Sequence, residues 1–459
     1  MKLNIYIILA FVVLGFTACE TDLKDLNTDP GRLADVELRL MLPDAIVQSM
    51  HNEGSNHNRI AGVVTQQFKG LDAQQIQYSD YVLGEDAVNN YWNLGLYTGA
   101  LRSCQVIIDK ANDEGASYYG GVAKILMANQ YGIATSMFGD IPFSEALKGL
   151  EIQQPAYDSQ ESVYAGVQAL LDSGIADLGS AEGYVGGDLI FDGDAAKWIA
   201  TAKAFKARYL MHTQKRDGGA AAAALSELSG AFTSIADQPN FTFETAETAN
   251  WALAKFGIER PSTLGIDPFF TNLMNGDPRQ EHYMIDLGGA VWDFFEAGNS
   301  KLVWAKSDAT IPLISIVEVK FLEAEALART GASDDDVEAA LADAITASMT
   351  QVGVSPDSIG TYITDNSSID GDAITAIITE AYKAYFGFAF HETWANYRRT
   401  GVPALVPSSI GTNGFNPSGV VPRRLLYVES ETATNSANVD AARARQGGGL
   451  LDQPVWAFE

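Results

Sequence analysis

Apolar residues recur at steps of three and four along much of this chain, and this spacing constrains the fold more than any other feature. Clear examples lie within residues 163–178, 314–328 and 374–388. Such steps place apolar side chains on one face of a helix, and that face must pack against another element. The sequence therefore predicts a mainly α protein.

Helix starts and stops are marked as well. Ser333 precedes the acidic run 334–336, and residues 158–161 precede another apolar stripe. Both patterns are typical of N-caps with acidic first turns, so the run 334–336 is predicted to open a helix rather than form a calcium loop. Short breaks at 113–116 and 139–142 separate successive helices. We expect stacked helical hairpins, although no strict repeat of about 34 residues is present.

Two stretches lack this periodicity. Residues 240–311 contain many aromatic side chains among Gly, Pro, Asn and Asp, and residues 401–424 are rich in Gly, Pro and Ser. Long irregular segments inside a compact protein are usually functional. No linker separates them from the helices. Although a length of 459 residues suggests about three domains of about 150 residues, we predict one body over residues 31–459.

Charge and rare residues exclude several function classes. The chain has 30 Lys and Arg against 58 Asp and Glu, a formal net charge of −28. Binding nucleic acid through bulk charge needs the cations that this chain lacks. Five His and two Cys are too few for a Cys-rich zinc module or a disulfide framework. No catalytic, phosphate-loop or dinucleotide motif is present, so no cofactor, metal or catalytic residue is predicted.

The N-terminus is typical of an exported lipoprotein. Lys2 precedes an apolar run at 5–16, which is too short for a membrane span and ends just before Cys19. This pattern resembles a bacterial lipobox, which predicts a signal peptide at 1–18, a lipid on Cys19 and a polar tether at 19–30. The alternative is an ordinary signal peptide with an incidental Cys. Cys104 lies on a helical stripe and is predicted to be a buried thiol.

A series of short phrases, in order along nearly the whole chain, resembles the SusD/RagB-like outer-membrane lipoproteins of Bacteroidetes, and most closely their SusD-like branch. These phrases are residues 26–30 (LNTDP), 91–97 (YWNLGLY), 139–146 (GDIPFSEA), 157–164 (YDSQESVY), 277–279 (DPR), 318–326 (EVKFLEAEA), 394–403 (WANYRRTGVP) and 422–427 (PRRLLY).

The resemblance implies a tetratricopeptide-like helical scaffold with a glycan-binding face built from loops. It implies a cell-surface position at the outer membrane, anchored through the lipid on Cys19. The expected partners are a glycan and a SusC-like TonB-dependent transporter. Members of this family bind nutrients and are not enzymes.

Most of the shared phrases are expected to stabilise the fold. The cations Arg398, Arg399, Arg423 and Arg424 are predicted to pair with Glu318, Glu323 or Glu325 and to join a helix to the C-terminal loops. The alternative is a site for an anion or a uronate. Gly139 is predicted to stop a helix in a left-handed conformation. Trp92 and Trp394 lie on amphipathic helices and are predicted to be core residues.

A sugar site needs exposed aromatic rings that pack on the C–H face of a pyranose, with polar groups nearby for its hydroxyls. The irregular stretches and the segment 71–81 contain the aromatic and acidic residues that fit this description. The predicted ligand-binding residues are Trp292, Trp304, Trp251, Tyr78, Tyr81, Asp72 and Asp293. The alternative for each Trp is packing of its loop onto the scaffold.

The acidic chain repels polyanions, so neutral glycans are favoured over heavily charged ones, and a neutral glucan is the first hypothesis. Local Arg groups could override this repulsion because salt screens it beyond about 10 Å. Other ligands, such as peptides, and other classes, namely a secreted glycan-degrading enzyme or an adhesion lipoprotein, remain as alternatives.

Overall fold

The computed structural model describes residues 36–183, 185–246, 249–288, 291–294 and 299–459. The predicted signal peptide at 1–18, the lipidated Cys19 and the tether at 19–30 lie outside the described residues. Within them the protein is mainly helical with a few short strands, as the sequence predicts.

The α-helices are α1 Leu38–Glu53, α2 Asn56–Val64, α3 Ala73–Ser79, α4 Arg102–Glu114, α5 Ser117–Phe138, α6 Gln160–Gly179, α7 Ala195–His212, α8 Ala220–Leu228, α9 Ala252–Glu259, α10 Pro268–Leu273, α11 Gln280–Tyr283, α12 Ile316–Thr330, α13 Asp334–Val352, α14 Pro356–Asn366, α15 Ala373–Ala384, α16 Phe390–Thr400, α17 Glu429–Thr434 and α18 Ser436–Arg445. A π-helical segment, Tyr91–Leu101, leads into α4, and a 3₁₀ turn, Trp456–Phe458, lies near the end of the chain.

Successive helices pack against one another in a continuous stack. Helix α4 packs on α5, α5 on α6, α6 on α7 and α7 on α8. The stack then continues across the irregular stretch 240–311, because α8 packs on α12 and α12 on both α13 and α15. The predicted stacking of helical hairpins is confirmed.

The strands pair only in twos, and each pair fastens a loop. They are β1 Phe68–Gly70 with β5 Leu264–Ile266, β2 Ile141–Pro142 with β3 Tyr157–Asp158, β4 Asn240–Thr242 with β8 Thr310–Pro312, and β6 Ile285–Gly288 with β7 Val291–Asp293, all antiparallel. Because β4 pairs with β8, the two ends of the stretch 240–311 meet and close it on itself. The stretch 401–424, which is described throughout, contains no helix or strand.

Local signals at the helix ends are confirmed. The Ser333 hydroxyl accepts a hydrogen bond from the Asp336 amide at 3.2 Å, so the acidic run opens α13. Helix α5 ends at Phe138, as predicted, but Gly139 has φ +81° and ψ −120°, so the predicted left-handed helical conformation is wrong and the residue adopts another conformation that favours glycine. A Cβ at Gly139 would also clash with the side chain of Gln446. The chain can therefore turn sharply after α5 while the C-terminal segment approaches closely.

The predicted core residues are confirmed. Trp92 and Trp394 are buried, and the Trp394 Nε1 donates to the Pro422 carbonyl at 2.9 Å. The Cys104 thiol is buried too, and burial raises its pKa above the usual range. It is therefore a small apolar group of the core rather than a nucleophile.

The prediction for the four arginines is right for one and wrong for the others. Arg399 pairs with Glu325. Arg398 and Arg424 instead donate to the carbonyls of Ser136 and Phe138 in the last turn of α5, and Arg423 is exposed. The physical reason is that the last carbonyls of a helix have no partner within it, and a guanidinium satisfies them well.

Glu318 pairs with an arginine that the sequence does not suggest. Arg208 of α7 donates from Nη2 to the Glu318 Oε2 of α12 at 2.6 Å and from Nη1 to the Asn129 Oδ1 of α5 at 3.1 Å. The Asn129 amide donates in turn to Glu53 of α1 at 3.2 Å, and Glu392 of α16 bonds to the His212 ring at 2.9 Å. We call this set the central charge network; it joins five helices that are distant in sequence.

Replacement of Arg208 by methionine should destabilise the protein by about 3–5 kcal/mol, because Glu318 would remain buried without its cation. Arg102→Met on the exposed side of α4 is the matched control, with an expected change within about 0.5 kcal/mol. Urea unfolding followed by circular dichroism measures both. Equal effects for the two variants would contradict a structural role for the network.

Burial raises the pKa of Glu53 from 4.5 to about 8. Between these values the folded protein keeps a proton that the unfolded chain releases. The contribution of Glu53 to stability is therefore complete below pH 4.5 and is lost as the pH rises through about 8.

Glu53→Gln is neutral at every pH and keeps an oxygen acceptor for Asn129. The free energy of unfolding of this variant, relative to wild type, should therefore rise between pH 5 and 8 by about 1.4 kcal/mol per pH unit. Urea titrations at pH 5, 6.5 and 8 measure it. A difference that stays constant over this range would show that Glu53 is ionised in the fold.

Candidate functional site

Two of the predicted platform residues are buried. Trp251 has no exposed surface and Trp304 is 4% exposed, so the prediction that their rings are exposed is wrong. Each ring fills a space left by a glycine, because a Cβ on Gly54 or Gly387 would clash with Trp251 or Trp304 respectively. Packing onto the scaffold, the alternative, explains both residues. Neither glycine adjoins its Trp in sequence, so no local pattern reveals these contacts.

The other predicted ligand-binding residues lie in two places, the β6–β7 hairpin and the segment 71–81. Trp292 lies in β7 opposite Asp286, but its side chain is outside the described residues, so its role stays a prediction. Asp293 is half-buried and pairs with Ile285 across the same hairpin. Asp72 is exposed just before α3, whereas Tyr78 is buried. Tyr81 is buried and lines a cavity.

That cavity is a cleft of about 540 Å³ between the segment 66–81, the segment 265–269 and the loop 401–424. We call it the β1–β5 cleft because β1 and β5 form its floor. Its lining consists of Val63, Gln66, Lys69, Leu71, Ser79, Asp80, Tyr81, Gly265, Ile266, Asp267, Pro268, Phe269, Val406, Ser408, Ser409 and Ile410. Two regions that the sequence singles out, 71–81 and 401–424, therefore meet here.

Strand pairing shapes the floor. In the β1–β5 ladder Lys69 lies opposite Gly265 and Gly70 opposite Leu264. A Cβ on Gly70 would clash with the Gln75 carbonyl at the start of α3. Only glycine fits there, so α3 turns tightly back over β1 and presents Ser79, Asp80 and Tyr81 to the cleft.

The backbone of the segment 66–81 is strained. Gln66, Ala73 and Tyr81 have φ values of +58°, +50° and +58°, in the region that non-glycine residues rarely adopt. Each such residue costs about 1–3 kcal/mol and persists only where its surroundings determine its conformation, as they do at ligand clamps. Two of the three line the cleft. This strain marks the segment as a functional candidate.

Hydrogen bonds fasten the loop 401–424 over this segment. The Gln66 amide donates to the Val406 carbonyl at 2.5 Å and to the Tyr81 hydroxyl at 3.0 Å. The Ser408 hydroxyl donates to the Asp80 Oδ1 at 3.1 Å, and the Asn413 amide donates to the Tyr81 carbonyl at 3.1 Å. The outer wall of the cleft is thus held from several points although it has no regular structure.

The electrostatics of the cleft suit a neutral, hydroxyl-rich ligand. Burial raises the pKa of Tyr81 to about 12, so its phenol stays protonated. Burial also raises the pKa of Asp267, while a hydrogen bond from the Phe269 amide opposes that shift. Asp80, Asp267 and the cation Lys69 supply acceptors and a donor. With two acids against one cation, the cleft offers no net attraction to an anion.

Apolar side chains form the rest of the surface. Leu71, Val406 and Ile410 are 46%, 70% and 62% exposed, and Phe269 is half-buried with its ring edge against Tyr382. A group of exposed apolar residues rimmed by polar ones is typical of a binding site. Phe269, Val406 and Ile410 are absent from the predicted residues because their meeting depends on strand pairing and on the fold of the loop.

Trp456 is also missing from the predictions. It is the one tryptophan with a described side chain that is not buried. It lines a separate polar groove of about 730 Å³ with Arg445 and Gln453. This groove has one partly exposed ring and no exposed apolar rim, so it is the weaker candidate.

Two further properties bear on function. Among the described residues, no His, Cys, Asp and Glu side chains cluster in a way that could hold a metal ion. In the same part of the chain, no helix has both the length and the apolar character needed to cross a membrane.

Comparisons with known proteins agree with this picture. A family model named SusD-like and described as "Starch-binding associating with outer membrane" matches residues 30–428. A comparison with curated proteins found no match.

Solved structures share the fold over nearly the full length. A SusD/RagB family protein from Bacteroides thetaiotaomicron VPI-5482 is 25% identical with a TM-score of 0.76, covering 92% of this chain and 99% of that one. A SusD homologue from Bacteroides uniformis ATCC 8492 is 20% identical with a TM-score of 0.77, covering 93% and 100%. A chitin-binding SusD homologue from Flavobacterium johnsoniae is 21% identical with a TM-score of 0.76, covering 91% and 98%.

Gln66→Ala should loosen the wall of the cleft, because it removes the hydrogen bonds to Val406 and Tyr81. Amide hydrogen exchange in residues 404–411 should become faster by about tenfold or more. Gln105→Ala, which removes a bond to Asp109 within one helix, is the control and should leave this loop unchanged. Unaltered exchange in the Gln66 variant would show that the loop does not need the clamp.

Proposed function

Because the chain belongs to the SusD-like family of starch-binding proteins that associate with the outer membrane, we propose that it captures a neutral glycan in the β1–β5 cleft. The bound glycan would pass to a SusC-like TonB-dependent transporter. Proteins of this family bind nutrients rather than transform them. The main support for this proposal is that the cleft has an exposed apolar rim directly beside acidic and hydroxyl groups.

The cleft matches a sugar in size and in surface chemistry. Its volume of about 540 Å³ lies within the usual range of about 300–1,000 Å³ for small-molecule sites. Phe269 and Ile410 offer apolar surface to the C–H faces of a pyranose. Asp80, Asp267 and Ser409 offer hydrogen-bond partners for its hydroxyls.

Charge supports a neutral ligand. The formal net charge of −28 repels polyanions at long range, and the local excess of acid over Lys69 acts in the same direction. A glucan is our first candidate, in keeping with the description of the family. Trp292, beside the half-buried Asp293, remains a proposed extension of the glycan-binding surface.

The position in the cell rests on the N-terminus. We propose that the signal peptide 1–18 is removed and that a lipid on Cys19 anchors the chain to the outer membrane, with residues 19–30 as a tether. This arrangement would hold the cleft at the cell surface next to the transporter.

The double variant Phe269→Ala, Ile410→Ser should bind amylopectin at least about tenfold more weakly, because it removes the apolar surface that a sugar ring would contact. Affinity electrophoresis measures the retardation. Leu150→Ser, at a side chain 89% exposed and outside the cleft, is the matched control and should migrate as wild type.

Full retention by the cleft variant would refute the assignment. Loss of retention in Trp456→Ala or Trp292→Ala, with the cleft variant unaffected, would move the site to the polar groove or to the β6–β7 hairpin.

Incubation with amylopectin or chitooligosaccharides should release no new reducing ends, since proteins of this family bind nutrients rather than transform them. Reducing-sugar assays over a day measure this. Turnover that disappears in Asp267→Asn would favour the alternative of a glycan-degrading enzyme.

A further inference from the structure

A second pocket lies on the other side of the loop that walls the β1–β5 cleft. It has a volume of about 320 Å³ and includes Pro407, whereas Val406 and Ser408 line the cleft. One stretch of loop therefore lines both cavities. The pocket is formed between the residues after α7, the end of α16 and the last residues of the chain.

The chemistry of this pocket differs from that of the cleft. Three of its lining residues are the cations Lys215, Arg398 and Arg423. Among the residues that the structure describes, no carboxylate lies within ion-pair distance of any of the three. In a chain with a formal net charge of −28, this is a local excess of positive charge.

Arg398 is fixed by its surroundings but incompletely paired. Its guanidinium lies between two rings, 4.0 Å from the Trp394 centroid and 4.5 Å from the Phe458 centroid. Nε donates to the Trp394 carbonyl at 3.2 Å, and Nη1 donates to the Ser136 carbonyl. Nη2 is buried and has no hydrogen-bond partner among the described residues.

An unpaired N–H on a buried guanidinium is costly, and more so because the group is charged. Burial without a paired carboxylate lowers the pKa of Arg398 to about 9. Burial, with the charges of Arg216 and Arg423, lowers the pKa of Lys215 as well. The negative charge of an anion in the pocket would oppose both pKa shifts.

The acidic groups nearby bond to side chains other than these three cations. Glu459 at the rim pairs with Arg216 at 2.5 Å. Glu392, on the inner side, bonds to His212 in the central charge network. Arg399, the remaining nearby cation, is neutralised by Glu325. The lining of the pocket therefore has three cations against the one carboxylate of Glu459.

We propose that the pocket formed by Lys215, Arg398 and Arg423 is an oxyanion site that takes the carboxylate of a small acidic sugar or an inorganic sulfate. The exposed guanidinium of Arg423 offers a planar pair of donors that matches either group. The Tyr397 side chain, also in the lining, adds a hydroxyl. The volume suits one monosaccharide rather than a polymer. The site does not depend on the proposed capture of a neutral glycan in the cleft.

Isothermal titration calorimetry at low salt tests the proposal with sodium D-glucuronate, sodium sulfate and D-glucose as probes. Glucuronate or sulfate should bind with one site per chain, and glucose should not. Arg423→Ala and Lys215→Ala should each weaken binding at least about tenfold, and added NaCl should weaken it further. Arg102→Ala, at an exposed arginine on α4, is the matched control and should bind as wild type.

Binding of glucuronate alone would identify a sugar carboxylate as the ligand, and equal binding of sulfate would identify a general oxyanion site. No heat from either anion, equal heat from glucose, or binding unaffected by Arg423→Ala would overturn the proposal. Because Arg398 is buried, Arg398→Lys is compared by thermal unfolding with and without glucuronate. The wild type should be stabilised by the anion and this variant less so.

The test separates the two sites. Ile410→Ser, in the cleft, should leave glucuronate binding unchanged. Arg423→Ala, in the pocket, should leave the retention of amylopectin unchanged. Loss of one binding activity without the other would show which of the two proposals fails.

Discussion

The pairing of Arg208 with Glu318 underlies the rest of the structure. Each ion loses several kcal/mol of hydration on burial, and this loss is offset only when the partners and their hydrogen bonds are complete. Asn129 accepts from Arg208 and donates in turn to Glu53, and a Glu392 oxygen lies 3.8 Å from the Arg208 Nε. Because these residues come from five helices spread along the chain, the network fixes their relative positions. The loops that carry the candidate sites rest on this arrangement.

Arginines also attach the C-terminal part of the chain. Arg398 and Arg424 donate to the last carbonyls of α5, which otherwise lack partners at a helix end. The loop 401–424 is thereby fastened to the stack near both of its ends, and Gln66 fastens it again at Val406. A segment without helix or strand thus serves as the shared wall of the β1–β5 cleft and the cationic pocket.

The two cavities differ because burial and charge are distributed differently around the same loop. The cleft combines exposed Val406 and Ile410 with two acids and one lysine, a surface suited to a neutral sugar. The pocket buries a guanidinium with an unpaired N–H next to two further cations. Over short distances these local groups outweigh a net charge of −28, because salt screens the acids that lie further than about 10 Å from the pocket.

The sequence by itself determined the features that depend on neighbours along the chain. Apolar spacing gave the helices, Ser333 and Gly139 marked helix ends, and ordered phrases gave the family. Tertiary structure alone decided which aromatic rings are exposed, since the glycines that admit Trp251 and Trp304 lie far from them in sequence. It also decided that Phe269 and Ile410 meet and that Arg208, rather than a C-terminal arginine, pairs with Glu318. The physical reason is that burial and ion pairing depend on contacts between distant segments, which local periodicity does not encode.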